Sequence, residues 1–190
     1  MKIGVLGGTF NPVHNGHLLV AEGARRALGL DRVLWIPAKL PPHKPVEGHI
    51  APEDRCRMVE LAIAGRPEWA LSRIELDRPG PSYTVDTLRQ LTREQPGTTW
   101  YCLIGSDIVP ELPTWRAIEE AMTLATFVAV PRPGVPAAAP WPARVQRLEV
   151  PTVDCSSSTI RQRLGSRQPV DELVPPAVAD YIRTHHLYTA

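Results

Sequence analysis

The sequence has few of the features that define several large classes of protein. Its 190 residues include only three cysteines, Cys56, Cys102 and Cys155, with no C-x-x-C pair and no zinc-ligand spacing. We therefore expect each cysteine to be a small buried hydrophobe rather than a metal ligand or a nucleophile. The apolar runs fall far short of the ~18 residues that a membrane span needs, and the N-terminus lacks a signal-peptide pattern. These absences predict a cytoplasmic protein without a membrane partner.

The chain also lacks an excess of charge of either sign. Twenty-one basic and 20 acidic residues give a formal net charge of +1, and like charges form no block. A nucleic-acid partner is not expected, because such proteins usually carry a basic stripe. Thirteen glycines and 21 prolines stay below the ~25–30% of low-complexity chains, and 43% of the residues are hydrophobic. Length and composition predict one globular domain, residues 1–190, that can bury its own core.

Strand and helix patterns alternate along the chain. Short, β-rich apolar runs predict buried strands at Ile3–Leu6, Val33–Ile36, Trp100–Ile104 and Thr126–Val130, and an alternating run predicts a less buried strand at Leu71–Leu76. Helical patterns cover His17–Leu28, Pro52–Ala64, Thr84–Glu94, Trp115–Leu124, Ser158–Leu164 and Pro176–Thr184. The proline-rich segment Pro131–Pro142 is expected to be an extended, exposed loop. This order predicts an α/β fold: a Rossmann-like open parallel sheet with helices on both faces.

Open parallel sheets bind ligands beyond the carboxyl ends of their strands, and the segment after the first predicted strand is rich in glycine and histidine. It reads GGTFNPVHNGH, residues 7–17, and matches neither the dinucleotide fingerprint nor the P-loop. Paired glycines allow a close approach of backbone to a ligand, and the N–H groups at the next helix start attract an anion. His14 and His17, spaced i, i+3, can face the same phosphate. The alternative is a tight turn with two surface histidines.

A second hydroxyl-rich helix start lies near the C-terminus, at Ser156, Ser157 and Ser158, followed by Arg161. Hydroxyls before a helix are ordinary N-caps, which is the structural alternative. The functional interpretation is a second anion site, where hydroxyls and helix N–H groups bind phosphate oxygens and Arg161 adds a permanent charge. Two phosphate sites at separate helix starts suit a nucleoside triphosphate.

These motifs carry a resemblance to a known family. GGTFNPVHNGH and CSSSTIRQR resemble the H-x-G-H motif and the late I-S-S-T-x-I-R motif of the nucleotidylyltransferases. The intervening IPAKLPPHKP, PSYTVDTL and LIGSDIVPELPTW resemble bacterial nicotinate-nucleotide adenylyltransferases, and the likeness runs from Met1 to about Tyr188. It implies transfer of the adenylyl group of ATP to nicotinate mononucleotide, giving deamido-NAD and pyrophosphate in NAD biosynthesis. It also implies that the C-terminal helices carry the second phosphate motif.

The resemblance further implies how ATP is bound. It assigns the ATP phosphates to Gly7, Gly8, Thr9, Phe10, His14 and His17, the β- and γ-phosphates to Ser156, Ser157, Ser158 and Arg161, and the ribose to Gly105 and Asp107. His14, His17 and Arg161 are the expected catalytic residues. An anionic phosphate oxygen attacks in line, so no covalent intermediate is expected. Mg²⁺ would be bound by the ATP phosphates, without a metal site of the protein's own.

For nicotinate mononucleotide, the resemblance implies contacts from two further segments. His43 and Lys44 would approach its phosphate, Trp115 would stack on the pyridine ring, and Thr84 with the Arg116 backbone N–H would bind its carboxylate. The structural alternatives are core packing for Trp115 and a helix cap at Thr84.

Three positions depart from the family pattern, and they leave questions open. Asn11 stands where many members have Asp, Cys155 replaces an Ile, and Ala38-Lys39 replaces an Asn pair. Lys39 could therefore contact the nucleotide's phosphate or point to solvent. Rival functions are transfer of AMP or CMP to another acceptor such as phosphopantetheine or an amidated mononucleotide, a non-catalytic nucleotide-binding module, and an NAD-dependent oxidoreductase. The oligomeric state also stays open, a homo-oligomer included.

Overall fold

A six-stranded, all-parallel sheet forms the centre of the computed structural model, which describes residues 1–42, 50–131, 144–151 and 153–189. The strands are β1 (Lys2–Gly8), β2 (Arg32–Pro37), β3 (Trp69–Leu71), β4 (Thr99–Gly105), β5 (Thr126–Val130) and β6 (Val145–Arg147). Their order across the sheet is β3-β2-β1-β4-β5-β6. This is the strand order of the doubly wound fold, and it confirms the predicted Rossmann-like α/β class.

Helices cover both faces of the sheet. They are α1 (Asn15–Leu28), α2 (Pro52–Ile63), α3 (Thr84–Glu94), a 3₁₀ helix (Ser106–Thr114), α4 (Ile118–Leu124), α5 (Ser157–Gly165) and α6 (Pro176–Thr184). Because side chains alternate along a strand, Leu6 of β1 joins the core under α1, α2, α5 and α6, and Val5 joins the core under α3 and α4. Both cores are built on this one sheet.

Several predicted boundaries were wrong for physical reasons. The sheet pairing of β3 ends at Leu71, opposite Trp35, so the strand predicted at Leu71–Leu76 leaves the sheet and turns. The helix predicted at Trp115–Leu124 begins only at Ile118, because Ala117 adopts a left-handed φ of 49°. The 3₁₀ helix and the three-residue β6 were not predicted, since both are too short or too proline-rich to show a period. Most of the Pro131–Pro142 loop lies outside the described residues.

Two of the three cysteines, Cys56 and Cys102, are buried as the sequence predicts. Cys155 is only half-buried. Burial raises the pKa of all three thiols, that of Cys102 to about 12, so none is activated as a thiolate. Within the described ranges, no helix is both long and apolar enough to cross a membrane.

Candidate functional site

A cavity of about 640 Å³ opens at the carboxyl ends of the central strands. Since β1 is paired with β2 on one side and β4 on the other, the segments that follow these strands meet there. The predicted site residues that line it are Gly7, Gly8, Thr9, Phe10, His14, His17, Thr84, Gly105, Asp107, Trp115, Arg116, Ser156, Ser157, Ser158 and Arg161. His43 and Lys44 lie outside the described residues. The structure thus brings together predicted residues from segments that are far apart in the sequence.

His14 and His17 form an ordered pair at the start of α1. His14 is the N-cap residue, and its backbone N–H donates to Nδ1 of His17 at 3.2 Å. The two rings lie 3.7 Å apart between centroids, and the Phe10 ring meets His17 edge-on at 5.1 Å. Because Nδ1 accepts a hydrogen bond, neutral His17 carries its proton on Nε2. This tautomer places an N–H donor on Nε2 of His17.

Gly16, between the two histidines, leaves room for the His14 ring. A Cβ at this position would lie 3.0 Å from Nδ1 and 3.1 Å from Cε1 of His14. These distances are too short for an ordinary contact, so the ring would have to shift. The sequence analysis assigned no role to Gly16, although its place inside H-x-G-H was the available signal.

Phe10 shapes the loop before the histidines. Its φ is 48°, which is unusual for a bulky residue, and its side chain is buried 5.6 Å from the Trp35 ring. A Cβ on Gly8 would lie 3.2 Å from this ring. Left-handed backbone at a bulky residue is a strained feature that often occurs at ligand-binding sites. Here it turns the chain from β1 toward α1 while Phe10 anchors the turn in the core.

Three backbone carbonyls of this loop accept hydrogen bonds from the surrounding protein. Thr9 O accepts from Arg55 of α2 at 2.7 Å, Asn11 O from Arg161 at 2.8 Å, and Pro12 O from the Ser157 hydroxyl at 2.9 Å. Arg161 and Ser157, predicted as phosphate ligands, therefore also bind the loop. These bonds join the two predicted phosphate motifs into one structure.

Helix α5 begins at the cavity with both features that the sequence left as alternatives. Ser156 is an ordinary N-cap, because its Oγ accepts from the Thr159 backbone N–H at 3.1 Å. It also lines the cavity, as do Ser158 and Arg161, whose guanidinium lies 3.4 Å from Ser158 Oγ. Capping and cavity lining thus coexist at one helix start, whose positive end favours an anion.

Trp115 combines core packing with access to the cavity. Its ring packs edge-on against Phe127 at 6.4 Å, yet it is only partly buried and lines the cavity at the end of the 3₁₀ helix. Thr84 is the first residue of α3 and also lines it. The Arg116 guanidinium lies over the Tyr83 ring at 4.8 Å.

Two buried charged residues that sequence reasoning missed support this edge of the sheet. Arg55 is fully buried and donates to Lys39 O at 3.3 Å as well as to Thr9 O. It thereby connects the loops that follow β1 and β2. The available signal was a charged residue at an apolar position of α2, in line with the buried Met58 and Val59. Burial lowers the pKa of the Arg55 guanidinium.

The other buried charge is Glu75, which also lines the cavity. It accepts a hydrogen bond from the Thr87 hydroxyl at 2.7 Å, and burial raises the pKa of its carboxyl group. Nearby, Ser82 Oγ accepts from the Lys39 backbone N–H at 3.0 Å. Lys39 Nζ lies 3.4 Å from Arg78 O, so its side chain contacts the protein rather than only solvent.

No group of three or more His, Cys, Asp or Glu side chains that could hold a metal ion occurs among the described residues. The cavity does contain the donors that phosphates prefer: imidazoles, hydroxyls, a guanidinium and the starts of two helices.

Comparisons with known proteins identify the family of this chain. The model of the Cytidylyltransferase-like family matches residues 5–163. The "Probable nicotinate-nucleotide adenylyltransferase" of Synechococcus sp. (strain JA-3-3Ab) is 47% identical over 195 residues, covering 98% of this chain and 94% of that protein. The protein of the same name from Geobacillus thermodenitrificans (strain NG80-2) is 47% identical over 189 residues, covering 100% and 87%.

A solved structure shares the fold at much lower sequence identity. Plasmodium falciparum nicotinic acid mononucleotide adenylyltransferase complexed with NaAD aligns with a TM-score of 0.83 at 19% identity, covering 98% of this chain and 97% of that one. The fold is therefore common to both proteins, and the full-length relatives at 47% identity give the narrower relationship. This chain belongs to the nicotinate-nucleotide adenylyltransferases, a group of nucleotidyltransferases.

Proposed function

We propose that this protein transfers the adenylyl group of ATP to nicotinate mononucleotide, forming deamido-NAD and pyrophosphate in NAD biosynthesis. The observation that carries the proposal is that two helix N-termini, each with residues suited to binding phosphate, line the same cavity. The loop that leads into α1 is joined there to the start of α5 by the bond from the Ser157 hydroxyl to Pro12 O at 2.9 Å. A triphosphate has the charge and length to engage both.

The reaction needs alignment and charge neutralisation rather than a protein nucleophile. A phosphate oxygen of nicotinate mononucleotide, already anionic at neutral pH, attacks the α-phosphorus of ATP. The bond from that phosphorus to the bridging oxygen breaks, and the electron pair leaves with pyrophosphate. His17, with its proton on Nε2, would stabilise charge on the α-phosphate. His14 would help to hold the α-phosphate in position. Arg161 and the start of α5 would neutralise the leaving β- and γ-phosphates.

Mg²⁺ fits this scheme as a partner of ATP. It prefers six oxygen ligands and keeps several waters, and the ATP phosphates supply the anionic oxygens. When bound, it would lower the negative charge that the acceptor phosphate must approach. The chain's own residues would bind the nucleotide through imidazole, hydroxyl and backbone N–H groups.

The acceptor would occupy the part of the cavity between Trp115 and the start of α3. Trp115 packs edge-on against Phe127 and would stack on the pyridine ring. Thr84 and the Arg116 backbone N–H would donate to the carboxylate, and His43 and Lys44 would approach the phosphate. Donors aimed at both carboxylate oxygens favour the acid over the amide, because the amide NH₂ would meet a donor.

The test is an acceptor panel with purified protein, ATP and Mg²⁺. Nicotinate mononucleotide should release pyrophosphate and give deamido-NAD, while nicotinamide mononucleotide and phosphopantetheine should react far more slowly. Product identity is checked by mass spectrometry. A clear preference for phosphopantetheine would refute the acceptor assignment, and binding of ATP without turnover of any acceptor would favour a non-catalytic nucleotide-binding module.

A further inference from the structure

A residue near the C-terminus, Tyr188, forms a hydrogen bond with the loop between β1 and α1. Tyr188 lies in the turn that follows α6, and its hydroxyl donates to Oδ1 of Asn11 at 2.7 Å. The Asn11 backbone carbonyl accepts from Arg161 at 2.8 Å, so this residue is held at both its side chain and its main chain. Tyr188 does not itself line the cavity, and it lies beyond residues 5–163 of the family model.

The direction of these bonds matters for anion binding. A carbonyl oxygen that faces a phosphate opposes its binding, whereas a backbone N–H favours it. The donors on the carbonyls of Thr9, Asn11 and Pro12 hold these oxygens against the protein. Each of the three oxygens therefore has a donor of the protein as its partner, which reduces its repulsion of a bound anion. A loop that lost these bonds would leave the oxygens without donors and raise that repulsion.

Tyr188 can control this loop because it is itself firmly placed. The chain turns back after α6, with the Leu187 backbone N–H donating to Ile182 O at 3.0 Å. The Tyr188 ring packs against the core on the α1 side of the sheet. Arg55 and Arg161 lie close enough for their charges to act on the Tyr188 hydroxyl. Both arginines also bind the loop, Arg55 at Thr9 O and Arg161 at Asn11 O.

We propose that Tyr188 is a positioning residue for ATP: it holds Asn11 so that the Thr9–Pro12 loop keeps its phosphate-binding shape. The inference rests on the proposed function, in which this loop binds ATP phosphates. Tyr188 acts through Asn11 and not on the acceptor, whose predicted ligands Thr84 and Trp115 lie on other elements. The effect of losing its hydroxyl should therefore be confined to ATP.

The test is Tyr188→Phe, with Tyr181→Phe as the matched control. Tyr181 also donates a short hydrogen bond from the C-terminal part of the chain, to Asp54 at 2.8 Å, but it does not touch the phosphate loop. Tyr188→Phe should raise the KM for ATP about fivefold, the equivalent of about 1 kcal/mol, and leave the KM for nicotinate mononucleotide unchanged. Tyr181→Phe should change neither KM. The dissociation constant of α,β-methylene-ATP should follow the KM for ATP.

A double-mutant cycle with Asn11→Ala identifies the bond itself. If Tyr188 acts through Asn11, adding Tyr188→Phe to Asn11→Ala should weaken binding of the ATP analogue no further. Equal effects of Tyr188→Phe and Tyr181→Phe, or full additivity in the cycle, would overturn the inference. Analogue binding needs no acceptor, so a wild-type protein that binds the analogue but makes no deamido-NAD would refute the proposed function alone.

Discussion

Substitutions of His17 can separate its structural role from its proposed catalytic role, because each role belongs to a different nitrogen of the imidazole ring. Nδ1 accepts the His14 backbone N–H at 3.2 Å and so satisfies a group at the start of α1. Nε2 carries the proton and is the atom proposed to stabilise the α-phosphate. His17→Ala removes both functions, whereas His17→Asn can place an amide oxygen near the Nδ1 position without supplying a donor at Nε2. The two variants should therefore differ in stability but not in rate.

The magnitudes follow from these contacts. Loss of a capping acceptor costs about 1 kcal/mol, which corresponds to roughly 2–4 °C in Tm for a chain of this size. His17→Ala also removes the contacts of the His17 ring with Phe10 and His14, so its Tm should fall by at least this amount. Loss of one donor to developing charge typically lowers kcat ~10²–10³-fold. His17→Asn should recover most of the Tm and none of the rate.

The assay combines three measurements on each variant. Pyrophosphate release gives kcat, titration with α,β-methylene-ATP gives binding, and thermal unfolding gives Tm. Both variants should lose far more in kcat than in analogue affinity, because the proposed interaction strengthens in the transition state. Recovery of kcat in His17→Asn, or a normal kcat in His17→Ala, would show that His17 serves only the start of α1.

Three further predictions concern other parts of the cavity. Gly16→Ala should lower kcat because the new Cβ displaces the His14 ring. Its Tm should stay the same or rise, because alanine stabilises a helix by up to ~1 kcal/mol relative to glycine. A normal kcat in this variant would contradict the prediction. Thr84→Val should lower the ratio of kcat/KM for nicotinate mononucleotide to kcat/KM for its amide about 5–150-fold. Trp115→Ala should raise the KM for nicotinate mononucleotide but not for ATP. An unchanged ratio in Thr84→Val, with equal effects on both substrates in Trp115→Ala, would place these residues outside the acceptor site. Burial raises the pKa of Glu75, so the folded state retains this proton more strongly than the unfolded state, and stability should fall as pH rises from the usual carboxyl range through the raised value. In Glu75→Gln the fall in Tm as pH rises above the usual carboxyl range should therefore shrink, and an unchanged fall would assign it to other groups.

The fold was predictable where the local pattern is strong. The central strands β1, β2, β4 and β5 are short, apolar and β-rich because both of their faces are buried, and the sequence predicts each of them. The edge strands β3 and β6 have only three residues each, too few for a period to appear, and pairing with a neighbour decides where they lie. Prediction failed where tertiary contacts outweigh local preference.

The candidate site shows the same division. The glycine- and histidine-rich segment after β1 and the serines before α5 stand out because phosphate chemistry needs particular residue types at a helix start. Arg55, Glu75 and Tyr188 carry no such motif. Each of these residues matters because of the group with which it forms a hydrogen bond in the folded protein, and no sequence pattern marks that group.

By itself, the sequence determined the central strands, most of the helices between them and the kinds of residue at their junctions, because these depend on short-range patterns. Only the tertiary structure decided which groups hold the phosphate loop. Its partners are 46 residues away for Arg55 and Thr9, 150 for Arg161 and Asn11, and 177 for Tyr188 and Asn11. A hydrogen bond depends on distance and direction in space, and no local pattern records which distant donor will reach a given carbonyl. Folding of the open parallel sheet brings these atoms together at its carboxyl edge.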